Sequence, residues 1–133
     1  MVLKHAEQAL LKAKSAALKP VGLTLAQYVA LVELDRQPGV TGSTLARACL
    51  VSPQAMMVVL KTMEEQGLIV RSLHSRHANV LELRITSAGQ EALAAARKAV
   101  APVERRVLAA FSSAELDTLA DLLTRLSEAA QPQ

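Results

Sequence analysis

In this 133-residue chain, side chains able to do chemistry gather in two short runs. One is His74-Ser75-Arg76-His77-Ala78-Asn79. Two imidazoles three residues apart can hold a metal ion, and Arg76 or Asn79 can donate to phosphates or to the acceptor edges of A·T pairs. The other extends from Ser43 to Lys61, where the hydroxyls of Ser43 and Ser52, the amide of Gln54 and the ammonium of Lys61 accompany an apolar pair, Met57-Val58. Donors of these kinds hold phosphates and read base edges. Cys49 is the single thiol.

Elimination narrows the chemistry. A metal site at His74 and His77 lacks partners, because the whole chain holds three histidines and one cysteine. Solvated histidines whose charge tunes phosphate contacts are the better reading. A redox role for Cys49 needs a thiolate, yet no cation is assured beside it and it shares a face with Leu45 on a short helix, so a packed, structural thiol is favoured. No glycine-rich phosphate loop occurs, and no Ser, His and Asp fall convincingly together. An enzyme is therefore not expected, nor a cofactor or metal.

Composition supports a small helical protein. Hydrophobic residues make up 51% of the chain, but with one Tyr, one Phe and no Trp the bulk of a core must come from Ala, Leu and Val, which favours packed helices. A formal charge of +3 and a pI near 9.4 permit nucleic-acid binding without demanding it. Lys4, Lys12, Lys14 and Lys19 crowd the first segment and Glu115, Asp117, Asp121 and Glu128 the last, so the two ends are expected to attract. No apolar run approaches the roughly 18 to 20 residues that cross a bilayer, and the first eleven residues include Lys4, His5 and Glu7. Neither a membrane span nor a signal peptide is expected, and the lone cysteine fits a reducing cytoplasm. The length fits one domain.

The elements that position these residues follow from periodicity and punctuation. Leu3, Ala6, Leu10, Ala13 and Ala17 form a stripe on a helix that ends before Pro20 and Gly22. Thr24 caps a second helix that buries Leu25, Tyr28, Val29, Val32 and Leu34 and stops at Pro38-Gly39. Thr41 or Ser43 caps a short helix through Cys49, and Ser52 caps a longer one with Pro53 in its first position, running to Gln66 before Gly67. Residues 68–73 read as a strand, and Leu81, Leu83 and Ile85 alternate with Glu82 and Arg84 in a second. Helices over about 86–110 and 113–130 close the chain, with stripes at Leu93, Val100, Val103 and Val107 and at Leu116, Leu119, Leu123 and Leu126; Ser112 and Glu115 have capping-box spacing.

Two short helices joined by a turn, the second followed by a two-stranded hairpin, is the order of a winged helix-turn-helix. A major groove about 12 Å wide admits one helix, and the hairpin reaches phosphates or the neighbouring minor groove. Residues 52–66 are the expected reader and 74–79 the wing tip. In the reader, Met56, Val59, Leu60 and Met63 face the core, leaving Gln54, Met57, Val58, Lys61 and Thr62 outward. The fold class is mainly α with a two-stranded wing, the lobe at about 24–86 lying between dimerisation helices at about 1–19 and 87–130.

The stretch GLTLAQYVALVELDRQPGVTGSTLARACLVSPQAMMVVLKTMEEQGLIVR, followed by LELRITSAG and FSSAELDTLADLLTRL, resembles the MarR (multiple antibiotic resistance regulator) family over nearly the whole chain. The resemblance implies a cytoplasmic transcriptional regulator, most simply a repressor. It implies a homodimer whose terminal helices intertwine, binding double-stranded DNA at a pseudo-palindromic operator. It further implies release by a small phenolic or aromatic ligand between stem and lobes, where Lys12, Lys14 and Tyr28 are candidates, although core packing suits Tyr28 better. The expected DNA-binding residues are Ser43, Ser52, Gln54, Met57, Val58, Lys61, Arg76, His77 and Asn79. Departures from the family are specific. The wing lacks the usual Asp followed by Arg, leaving Arg76 or Asn79 to substitute. Met57 and Val58 stand where polar or basic residues are common; they can touch thymine methyls but carry no hydrogen-bond code. Leu50 fills a turn position often held by Gly, which hints at a slightly different turn. Two alternatives stay open: a winged-helix module that docks protein through Met57-Val58, and a regulator that senses oxidants through Cys49.

Overall fold

The computed structural model describes residues 1–73 and 81–132. Helix α1 (Val2–Leu18) gives way to a 3-10 turn at Lys19–Val21, where Pro20 removes the amide that a continuing helix would use. Helix α2 (Leu25–Arg36) starts at a reciprocal cap, the Gln27 amide donating to Thr24 Oγ1 at 3.1 Å and the Thr24 amide to Gln27 Oε1 at 3.1 Å. Its buried residues differ in part from the expected stripe. Tyr28 and Leu34 are buried, but Ala30 and Leu31 join them while Leu25, Val29 and Val32 are only half-buried. The reason is that α2 meets four neighbours, α1 and the later elements α3, α4 and β2, so no single face is its inner one.

Helix α3 (Gly42–Ala48) is capped by Thr41, whose Oγ1 accepts from the Thr44 amide at 3.2 Å; Ser43, the other candidate, sits in the first turn. Helix α4 (Pro53–Glu65) opens at Ser52, whose Oγ accepts from the Ala55 amide at 3.1 Å, with Pro53 occupying a position that has no helical acceptor for its missing N–H. It ends at Gly67, which takes φ of 75° while the Leu68 amide reaches back to the Met63 carbonyl at 2.9 Å.

Strands β1 (Ile69–Leu73) and β2 (Leu81–Ile85) pair antiparallel, with Ile69 opposite Ile85, Arg71 opposite Leu83 and Leu73 opposite Leu81. The alternation read from sequence is present, but burial fades along the hairpin: Ile69 and Leu83 are buried, Leu73 and Leu81 exposed. The free edge of β2 is held at its middle. Gly39 donates its amide to the Leu83 carbonyl at 3.0 Å, and Leu83 donates to the Val40 carbonyl at 2.9 Å. The chain between α2 and α3 thus fixes where the hairpin points.

Helix α5 (Ser87–Ala109) begins at Thr86, which locks the base of the hairpin. Its hydroxyl donates to the Gly67 carbonyl at 2.6 Å and accepts from the Gly89 amide at 3.0 Å, and its amide donates to the Leu68 carbonyl at 3.0 Å. Gly89 presses its Cα against this backbone so closely that a Cβ would collide with the Leu68 carbonyl oxygen. Helix α6 (Ser113–Ala130) opens with the capping box read from Ser112 and Glu115.

Contacts divide the chain into two compact units, Met1–Val100 and Ala101–Gln133. In the first, Leu31, Leu34, Leu45, Met56, Leu60, Ile69, Leu83 and Leu93 make one buried cluster with Leu18. Of the α5 stripe, Leu93, Val100 and Val103 are buried and Val107 is exposed. On α6, Leu119, Leu123 and Leu126 are exposed and Leu116 half-buried; on α1, Leu3 and Leu10 are exposed. Within its own unit each of those stripes therefore has little to pack on.

Candidate nucleic-acid interface

The reader helix is anchored by one face and open on the other. Met56, Leu60 and Met63 recur every three or four residues and are fully buried, with Val59 half-buried against the same cluster. Gln54, Met57, Val58 and Lys61 fall at i, i+3, i+4 and i+7 on the opposite face, and all are exposed. Thr62 is exposed as well, its hydroxyl occupied by the Val58 carbonyl at 3.2 Å. Burying three large side chains contributes on the order of 1.5–3 kcal/mol each, enough to fix the helix rotation and hence which residues face out.

The N-terminal end of α4 lies beside the first turn of α3. Ser43 is exposed there, its Oγ 3.2 Å from Thr41 Oγ1. Thr41, Ser43, Pro53, Met57, Arg71 and Leu81 border an open groove of about 460 Å³ between the two helices and the hairpin. The α3–α4 turn passes through Leu50, whose φ of 57° is left-handed and whose side chain is 92% exposed. For a residue with a Cβ that backbone costs about 1–2 kcal/mol, so the turn keeps a glycine-like shape at some strain.

Two residues that brace this surface escaped the sequence reading. Gln27, buried, donates from Nε2 to Gln66 Oε1 at 3.2 Å, tying the end of α4 to the start of α2. Its capping-box spacing after Thr24 was the available signal; the long-range bond was not visible. Arg71 brings Nε to 3.2 Å from Glu64 Oε2, tying β1 to the last turn of α4. Its place opposite Leu83 on the inner face of the hairpin is the signal that strand alternation offered.

The remaining candidates are scattered. His74, Arg76, His77 and Asn79, the proposed wing tip, lie outside the described residues. Tyr28 is buried in the core, Lys14 is half-buried and Lys12 is exposed, so the three do not share one environment. Cys49 is half-buried at the C-terminal end of α3, and its thiol is pushed above its ordinary pKa by burial and by the negative charge of Glu33. Both causes keep it protonated, the reverse of what a reactive thiolate needs. Among the described residues no group of three or more His, Cys, Asp or Glu side chains could hold a metal ion, and no single helix is long and apolar enough to cross a membrane.

A sequence model described as MarR family matches residues 21–78. The HTH-type transcriptional repressor Rv2887 of Mycobacterium tuberculosis is 34% identical over 112 residues, covering 84% of this chain and 81% of its own. The structure of that MarR family protein in complex with p-aminosalicylic acid has a TM-score of 0.74 at 32% identity, covering 95% of both chains. The transcriptional repressor CouR of Rhodococcus jostii, bound to a 23-mer DNA duplex, superposes with a TM-score of 0.87 at 27% identity, over 95% of this chain and 89% of that one.

Proposed function

Because the chain belongs to the MarR family of winged-helix transcriptional regulators, we propose that it is a repressor that binds a pseudo-palindromic operator as a homodimer, and that it is not an enzyme. The observation that carries this reading is the division of α4, with Met56, Leu60 and Met63 sealed and Gln54, Met57, Val58 and Lys61 open to a groove-sized partner. Each copy inserts α4 into the major groove, while Arg76, His77 and Asn79, in the segment between β1 and β2, contact phosphates or the adjacent minor groove. Ser43, Ser52 and Lys61 contact phosphates, and Gln54 reads a base edge. Two readers about 34–36 Å apart match successive turns of one duplex face. The exposed apolar stripes of α1 and α6 support pairing, since faces of this kind are a liability in a lone chain. The compartment that goes with this reading is the cytoplasm, where operator DNA lies.

Release is by a small phenolic or aromatic acid, a class to which p-aminosalicylic acid, bound by the related repressor, belongs. Such a ligand needs only to bind one dimer shape better than the other. Lys12 and Lys14 are the candidate cations for its carboxylate, whereas Tyr28, sealed in the core, packs there. The test is a mobility-shift titration of DNA from upstream of its own gene. Wild-type protein should retard it at sub-micromolar concentration, and Lys61→Ala and Arg76→Ala should each weaken binding and lower the log–log salt slope by about 1. A Kd that does not change between low and physiological salt removes the phosphate contacts from this reading.

A further inference from the structure

The outward face of α4 carries an anomaly for a surface that meets DNA. Its two central residues are apolar and open, Met57 61% exposed and Val58 69% exposed, and the turn leading into the helix adds Leu50 and Val51, both exposed. On the other side of the same helix apolar residues are sealed, so this is not a helix whose sides are poorly sorted. The patch is framed by donors suited to phosphate: Lys61 on the same face and the Ser52 end of the helix, with its aligned amides, on the other. That framing favours a polyanion over a protein surface as the occupant.

We infer that Met57 and Val58 read thymine C5-methyl groups, and that these contacts, resting on the DNA-binding reading above, are the main base-specific term in each half-site. Major-groove edges present donors and acceptors at every base except for one apolar group, the thymine methyl. An apolar side chain laid on the polar edges of a G·C pair strips them of water and returns no hydrogen bond, so it selects against them as well as for thymine. The two residues divide the task. Val58 is β-branched and held to one helical rotamer, which fixes the position of one methyl contact; Met57 is unbranched and adapts to its neighbour.

The experiment selects bound duplexes from a randomised pool, then rebuilds one selected duplex with deoxyuridine replacing each thymidine singly, a change that removes only the methyl. Anisotropy titrations measure Kd for wild type and for Val58→Ser, which removes both methyls from an exposed position, and Met57→Gln. One or two uracil positions per half-site should weaken wild-type binding by about 3- to 4-fold each, and the penalty should vanish at one of them in each variant. Equal binding of thymine and uracil duplexes overturns the inference while leaving the regulator reading intact. A uracil penalty that persists unchanged in both variants also overturns it, because the methyls then act through DNA shape. Failure to retain any duplex at low salt, with protein binding to the same face instead, removes both readings together.

Discussion

Single residues carry the sharpest expectations, because their surroundings fix the sign of each. Cys49 keeps its proton more firmly in the folded chain than its ordinary pKa of 9.0 would give, owing to burial and then to Glu33. The folded state therefore holds a proton that the unfolded state gives up first, and whatever stability this contributes is lost as the pH climbs above about 9. At pH 7 the thiol should react with iodoacetamide many times more slowly than free cysteine, and peroxide should leave operator binding of wild type and Cys49→Ser alike. Rapid alkylation at neutral pH is the result that would restore a sensor. Leu50 makes a different prediction. Its backbone is left-handed and its side chain is almost wholly in water, so Leu50→Gly removes strain and loses no packing. After the extra chain entropy of glycine, urea unfolding should show a gain of up to about 1 kcal/mol.

At the scale of elements, three connections hold α4, the proposed reader, in register. Gln27 with Gln66 fastens its far end to α2, Arg71 with Glu64 fastens it to β1, and Thr86 joins the turn after it to α5. The last is the most sensitive. At Gly89 an added methyl meets the Leu68 carbonyl and Ile85, neither of them the loose end of a long side chain. Gly89→Ala should therefore destabilise the chain by about 2–3 kcal/mol in a thermal or urea melt. It should also weaken DNA binding at temperatures where the protein is still folded, since the hairpin base has to move away from α5. A melt indistinguishable from wild type would mean that the close approach is relieved cheaply.

The whole molecule leaves more apolar surface uncovered than its core explains. Leu3, Leu10 and Leu11 on α1, and Phe111, Leu119, Leu122, Leu123 and Leu126 at and along α6, are exposed in the single chain, and Phe111, Leu119 and Leu122 border an open groove of about 380 Å³. A second copy is the occupant that the proposed two-reader arrangement needs. Light scattering after gel filtration should give a dimer at micromolar concentration, and a Leu119→Glu, Leu123→Glu variant should give monomers that lose most affinity for a two-half-site duplex. A monomeric wild-type chain that binds DNA with full affinity would break the link between pairing and recognition.

Much of this was legible in the residues themselves. Caps at Thr24, Ser52 and Ser112, the stop at Gly67 and the alternation of Leu81, Leu83 and Ile85 are local signals, each set by the hydrogen-bonding needs of a few consecutive residues, and they position the elements within a residue or two. The rotation of α4 was legible too, because one buried face produces one period. The inner faces of α2 were not, since a helix enclosed by four neighbours has no single period to read. Nor could spacing reveal the braces: Gln27 to Gln66 and Thr86 to Gly67 join residues 39 and 19 positions apart. Local sequence determined which helices and strands form and which side of α4 is sealed and which is open. Only the tertiary structure decided what holds that reader in place, because contacts between distant residues depend on how the elements pack and leave no periodic trace along the chain.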